Sequence, residues 1–150
     1  MLQDYNTSLI IKIDWSDLDL FGHVNNVAFF KYIQAARVNY CESIGLTSTN
    51  EIGKLGFIVA AINCSFKCPL NYPGNVKVAS KVDWIKNSSL QLSHLLIKDD
   101  GLVVAEATDI IVVFDYLNKT KVTLPFGLRA QIENLENKKF LNEKNIIFKI

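Results

Sequence analysis

The sequence predicts a single α+β domain, one long buried helix followed by an antiparallel sheet that must wrap around it. Three observations carry this. A helical pattern of unusual length covers residues 26–44. From residue 57 onward, runs of period-two alternation are divided by turn signals. Nothing else in the chain can cover the helix, and with 150 residues, 49% of them apolar, the chain can bury about 70% of its unfolded surface around one core.

The elements follow in order. Residues 8–14, SLIIKID, read as a short strand, and Ser16, Asp17, Asp19 and Gly22 mark a polar turn-prone stretch. Asn25 or Asn26 is the expected N-cap of the long helix and Gly45 its C′ residue. Val27, Phe30, Ile33, Tyr40, Cys41 and Ile44 keep helical spacing, and Phe29, Tyr32, Ala35, Ala36 and Val38 fill other faces, so the helix is expected to be covered on most sides. Strands are then predicted over 57–67, 76–85 and from residue 90, where Leu90, Leu92, His94 and Leu96 share a face. Asp99-Asp100-Gly101 is a hairpin turn leading into the longest strand, 102–114. A short strand over 121–124 and a short helix opened by Pro125 follow, with an edge strand expected at 146–150.

Composition narrows the function. Sixteen basic and fifteen acidic residues leave a net charge of +1, which excludes a lopsided field for nucleic acid or an anionic membrane. No apolar run approaches the roughly 20 residues of a membrane span. The first ten residues lack a basic start and a long apolar stretch, so no signal peptide is expected, and three cysteines fit a reducing, cytoplasmic compartment. Cys64 and Cys68 lie on one predicted strand about 13 Å apart, too far for a disulfide, and neither histidine is close to them in sequence. No metal site and no cofactor are expected.

The chemistry is concentrated between Trp15 and Asn26, where Asp17, Asp19, His23, Asn25 and Asn26 stand just before the helix. A helix N-terminus offers unpaired N–H groups and a positive dipole end, which polarise a carbonyl and hold an oxyanion. A carboxylate beside it acts as base or nucleophile. The residues alone leave open that both aspartates are solvated loop residues and Asn25 only a cap.

The run Asp17-x-Asp19-x-x-Gly22-His23-Val24-Asn25-Asn26, with Phe29-Phe-Lys-Tyr-Ile-Gln-Ala-Ala-Arg37 after it, resembles the 4-hydroxybenzoyl-CoA thioesterase family of hotdog-fold proteins. Ile62-x-x-x-Phe66-x-x-Pro69-Leu70, Gly74, the Asn87-Ser88-Ser89 turn and the Ala105-Glu106-Ala107 strand running to Asp115 continue it over residues 8–130, leaving 131–150 as a C-terminal extension. The resemblance implies a long helix wrapped by an antiparallel sheet, subunits that pair as a homodimer or homotetramer, and active sites at the dimer interface. It implies an acyl-CoA thioesterase that needs no metal. Asp19 is the implied catalytic carboxylate, the Asn26 N–H the implied oxyanion donor, and His23 joins them with Asn25 in the pocket wall. Asn87, Ser88 and Ser89 stand where relatives contact the pantetheine or phosphate portion, and Phe57, Val59 and Phe30 are candidates for lining an acyl pocket, with ordinary core as the alternative. Asp17 reads as a turn brace. Gln34 stands where relatives carry Glu, and Phe21 where plant acyl-ACP thioesterases carry a catalytic Asn, which weakens an acyl-ACP assignment.

Other residues read as structural. His94 on an apolar face is expected to be a satisfied core residue, and mid-helix Arg37 needs a carboxylate such as Asp109 or Glu106. Lys67, Lys81 and Lys86 near strand ends are weaker candidates for phosphate contacts. Hydrolysis of acyl-ACP and non-catalytic acyl-ligand binding are the alternatives to acyl-CoA hydrolysis.

Overall fold

The structure, a computed structural model, describes residues 1–46 and 55–141; the edge strand expected at 146–150 lies outside the described residues. The elements are β1 (Thr7–Lys12), a 3-10 turn (Trp15–Asp17), α1 (Asn26–Ser43), β2 (Leu55–Phe66), β3 (Asn75–Ile85), β4 (Ser89–Lys98), β5 (Val103–Asp115), β6 (Thr120–Lys121) and α2 (Phe126–Glu136). One antiparallel sheet runs in the order β1-β3-β4-β5-β2, with β6 pairing the end of β5. This is the α+β architecture expected, a long helix against an antiparallel sheet.

Local chemistry sets the ends of α1. The Asn25 side chain accepts from the Val27 N–H at its start. At the other end Gly45 takes φ 76°, a left-handed conformation glycine adopts without strain, and the Leu46 N–H reaches back to the Cys41 carbonyl at 2.8 Å. Pro125 precedes α2, and Asn137 in the left-handed region closes it.

Two apolar clusters fill the space between helix and sheet. One gathers Phe29, Tyr32, Ile33, Val78, Leu96 and Ala105. The other gathers Tyr40, Ile44, Leu90, Ile111, Val113 and Ile132. A buried polar layer separates them along the chain of each element. Arg37 Nε donates to Asp109 Oδ2 at 2.7 Å, His94 Nε2 lies 2.9 Å from the same oxygen, and His94 Nδ1 lies 2.8 Å from Ser80 Oγ. Burial raises the Asp109 carboxyl, but bonds from His94 and Arg37 outweigh it and hold the group below the usual range. Removing one partner of such a buried pair costs about 3–5 kcal/mol.

Helix coverage differs from the expectation. Ala28, Phe29, Tyr32, Ile33, Ala36, Arg37, Tyr40 and Cys41 are buried, but Val27 is 68% exposed and Gln34 and Val38 are exposed too. A single sheet covers one stripe of a helix, and the described residues supply nothing for the opposite stripe. Beside it, Phe30 meets the Phe66 ring of β2, one of the two terminal strands of the sheet, at 6.4 Å.

Candidate active site

The loop from Trp15 to Asn25 is held by its own polar groups. Asp14 Oδ1 accepts from Ser16 N–H and Oγ at 2.8 and 2.6 Å, which caps the 3-10 turn. Asp17 Oδ1 accepts from Lys31 Nζ at 2.6 Å, and its Oδ2 from the Tyr32 hydroxyl at 2.8 Å. The Asp17 carbonyl also accepts the Asn25 N–H at 2.8 Å, so one residue ties the loop to the first turns of α1. Partial burial raises the Asp17 carboxyl, yet the bonds from Lys31 and Tyr32 and the Lys31 charge prevail and hold it below the usual range.

Asp19 has different surroundings. Its Oδ1 accepts from the Phe21 and His23 N–H groups at 2.9 and 3.2 Å. Gly22 between them takes φ 79°, the left-handed conformation this tight turn needs. The Asp19 N–H donates to the His23 carbonyl at 2.8 Å, and short bridges join Leu18 to Val24 and His23 to Asn71. Among the described residues no protein group bonds Asp19 Oδ2. The carboxylate is thus fixed by one oxygen with the other available.

That oxygen belongs to a residue lining a cavity of about 410 Å³. His23, Asn26, Lys67 and Cys68 supply its other polar groups, and Phe29, Phe66 and Leu70 its apolar wall. Phe29 and Phe66 meet edge-to-face at 5.1 Å. At the cavity the N-terminus of α1 offers one uncommitted donor. The Asn25 side chain takes the Val27 N–H and the Asn25 carbonyl the Ala28 N–H at 2.9 Å, while the Asn26 N–H has no partner among the described residues. A half-free carboxylate beside a free N–H at a helix start can activate water or attack a carbonyl, and polarise that carbonyl's oxygen.

Not every candidate meets here. Asp19, His23 and Asn26 line one cavity. Asn25 caps α1 through its Oδ1. Phe57 and Val59 pack against the second apolar cluster instead. The Ser88 carbonyl accepts the Val113 N–H at 2.9 Å, and Val113 pairs with Phe57, so the 87–89 turn and Phe57 share the opposite end of the sheet. Within one chain the structure keeps these two groups apart. Phe29, Cys68 and Leu70 were not singled out as wall residues, although the Phe66-x-x-Pro69-Leu70 spacing pointed to this segment. Among the described residues no group of three or more His, Cys, Asp or Glu side chains is arranged to hold a metal ion. No helix of the described residues is long and apolar enough to cross a membrane.

Comparison with known proteins agrees with this geometry. The model of the thioesterase-like superfamily matches residues 13–132. The chain is 25% identical over 126 residues to the long-chain acyl-CoA thioesterase FadM of Escherichia coli, covering 83% of this chain and 96% of that protein. It is 26% identical over 125 residues to the chloroplastic acyl-acyl carrier protein thioesterase ATL3 of Arabidopsis thaliana, covering 81% of this chain and 64% of that one. Among solved structures, a thioesterase from Thermus thermophilus in complex with coenzyme A and zinc superposes with TM-score 0.80 at 25% identity, over 92% of this chain and 99% of that one.

Proposed function

This chain belongs to the thioesterase-like superfamily, and from that premise we propose that it hydrolyses acyl-CoA thioesters to a free acid and CoA by a carboxylate-dependent, metal-free route. The observation that carries the reading is Asp19, held through Oδ1, in one cavity with Asn26; among the described residues neither Asp19 Oδ2 nor the Asn26 N–H has a partner. In the simplest sequence Asp19 takes a proton from water as that water attacks the thioester carbon. The Asn26 N–H and the positive end of α1 hold the resulting oxyanion. The C–S bond then breaks, and the leaving thiolate takes the proton. Direct attack by Asp19 would pass through an anhydride that water opens to the same products.

The reading includes a homodimer. β2 ends the sheet, paired with β5 on one side and with no strand on the other among the described residues, and Ile58 and Ile62 are each 40% exposed and Phe66 48% exposed; such an edge invites pairing. Antiparallel pairing of β2 with its copy reverses the strand. Phe57, Val59 and the Asn87-Ser88-Ser89 turn of one subunit then face the Asp19 cavity of the other, where they serve the acyl and pantetheine parts of the substrate. This explains why the candidates fall into two groups in one chain.

The test is release of free thiol from a panel of acyl-CoA thioesters, with acyl-ACP in parallel and with EDTA present. Turnover of acyl-CoA that survives chelation supports the reading. Turnover of acyl-ACP alone favours the carrier-protein alternative. Binding of acyl-CoA without turnover makes the protein a ligand-binding member of its family, and zinc-restored activity after EDTA means that the site has been misassigned.

A further inference from the structure

A second cavity lies at the far end of β3, outside the Asp19 site. It measures about 360 Å³ and is lined by Trp84, Lys86, Lys138, Lys139 and Phe140, together with Asp83 and apolar neighbours. Lys86 Nζ stands 4.8 Å from the Trp84 ring centroid, and Lys138 Nζ stands 4.6 Å from that of Phe140. Neither lysine has a carboxylate partner among the described residues. Lys139 does, since its Nζ lies 3.0 Å from Glu133 Oε2. Asp83 is the cavity's one carboxylate, and its Oδ2 already accepts from Gln91 at 2.8 Å and from Ser93. Lys86 and Lys138 therefore bring two ammonium groups without a paired carboxylate to a cavity walled by two aromatic rings, against the single negative charge of Asp83.

The wall formed by the chain after α2 is anchored. Arg129 Nη1 donates to the Phe140 carbonyl at 3.2 Å, and Glu133 Oε1 accepts the Phe140 N–H at 3.4 Å. Bonds from Lys139 and Phe140 hold the Glu133 carboxyl below its usual range, so the anchor stays ionised. Trp84 and Lys86 come from the end of β3 and the turn after it, so two separate segments present rings and ammonium groups to one space.

Ring faces combined with free ammonium groups recognise a phosphorylated aromatic base: the ring stacks, and the cations take the phosphate. We propose that this cavity binds the adenosine 3′,5′-bisphosphate end of an acyl-CoA, which rests on the acyl-CoA reading above. On binding, Lys86 and Lys138 leave the rings for the phosphates. The cavity serves the other subunit's active site. His23 bridges Asn71, just before β3, whereas Trp84 lies near the end of that strand. From Asn75 at the start of β3 to Trp84 the strand spans about 30 Å within one chain. Antiparallel pairing along β2 turns the Trp84 end of one subunit toward the Asp19 end of the other, with the 87–89 turn between them.

The test compares wild type with Lys86→Gln/Lys138→Gln on two substrates, an acyl-CoA and the same acyl group on N-acetylcysteamine, which lacks the nucleotide. The double variant should raise KM for the acyl-CoA at least about tenfold with kcat unchanged, because two charge-assisted contacts are lost. Its hydrolysis of the truncated thioester should match wild type. Calorimetry should find adenosine 3′,5′-bisphosphate bound to wild type and not to the variant. An unchanged KM for acyl-CoA overturns the proposal, even if the free nucleotide binds, because the ligand would then be a free nucleotide. Equal KM increases on both substrates overturn it as well. If neither thioester is hydrolysed, the acyl-CoA reading fails separately, and loss of nucleotide binding in the double variant still reports whether the cavity recognises this group.

Discussion

Asp17 and Asp19 leave the same loop two residues apart, yet their carboxylates meet different surroundings. Asp17 has both oxygens bonded to α1, through Lys31 and Tyr32, and its carbonyl holds the Asn25 N–H. Asp19 has one oxygen held by backbone N–H groups of its own turn and the other unbonded beside a cavity. A carboxylate with both oxygens bonded to a helix and a side chain only 9% exposed braces the fold and presents neither oxygen to the cavity. A carboxylate fixed through one oxygen is oriented and still reactive, which general-base and nucleophilic catalysis both require. The first residue shapes the loop, and in the proposed mechanism the second uses that shape.

The largest effect expected is at Asp19. Asp19→Asn keeps the size and the bonds from the turn but removes the charge, so turnover of an acyl-CoA should fall by about 10²- to 10⁴-fold. KM and the circular dichroism spectrum should change little, because the role is confined to the transition state. Next in size is the β2 edge. Ala61 is exposed on that strand, and Ala61→Arg brings like charges together wherever two copies pair there. Sedimentation should then show a monomer, with activity lost in step with the dimer. A monomer of full activity would mean that each chain carries a complete site.

Asp17→Asn should act on stability instead. Losing the charge behind its bonds to Lys31 and Tyr32 should cost about 1–2 kcal/mol in denaturant unfolding, with turnover per folded molecule within about tenfold of wild type, since only the loop's bracing changes. The smallest effect is its pH dependence. The folded-state pKa of Asp17 is depressed, so its contribution is fully present above the unfolded value of about 3.9 and is lost as pH falls through the folded value. The stability gap between wild type and Asp17→Asn should therefore be constant at neutral pH and close below about pH 4. A gap that widens in acid would contradict the assignment of this carboxylate as the loop's ionised brace.

Much of this was legible in the sequence, for physical reasons that differ by region. The helix announced itself through Asn25 and Gly45, whose chemistry acts locally, and the strands through period-two alternation in β3 and β4. Arg37 and His94 read correctly as residues needing partners, because a buried charge always does, and Asp109 supplies both. The Asp19 loop was legible because its groups are close in sequence. The exposed stripe of α1 was not, since apolarity does not distinguish a face buried by the same chain from one left open. Nor was the position of Phe57, Val59 and the 87–89 turn, because which end of a sheet a residue occupies depends on strand order. The pairing of Trp84 and Lys86 with Lys138 and Phe140 depends on how the chain turns after α2, and no local pattern encodes that.

The account rests on the division of labour between the two aspartates, and one ratio tests it most directly. The measurement is thiol release from one acyl-CoA by Asp17→Asn and by Asp19→Asn, each at saturating substrate and each on protein shown to be folded. The account predicts that the Asp17 variant turns over faster than the Asp19 variant by at least about tenfold, from the lower bound of a general-base contribution set against limited damage to the loop. An inactive Asp17→Asn beside an active Asp19→Asn would reverse the assignment, and full activity in both would remove the carboxylate from the mechanism.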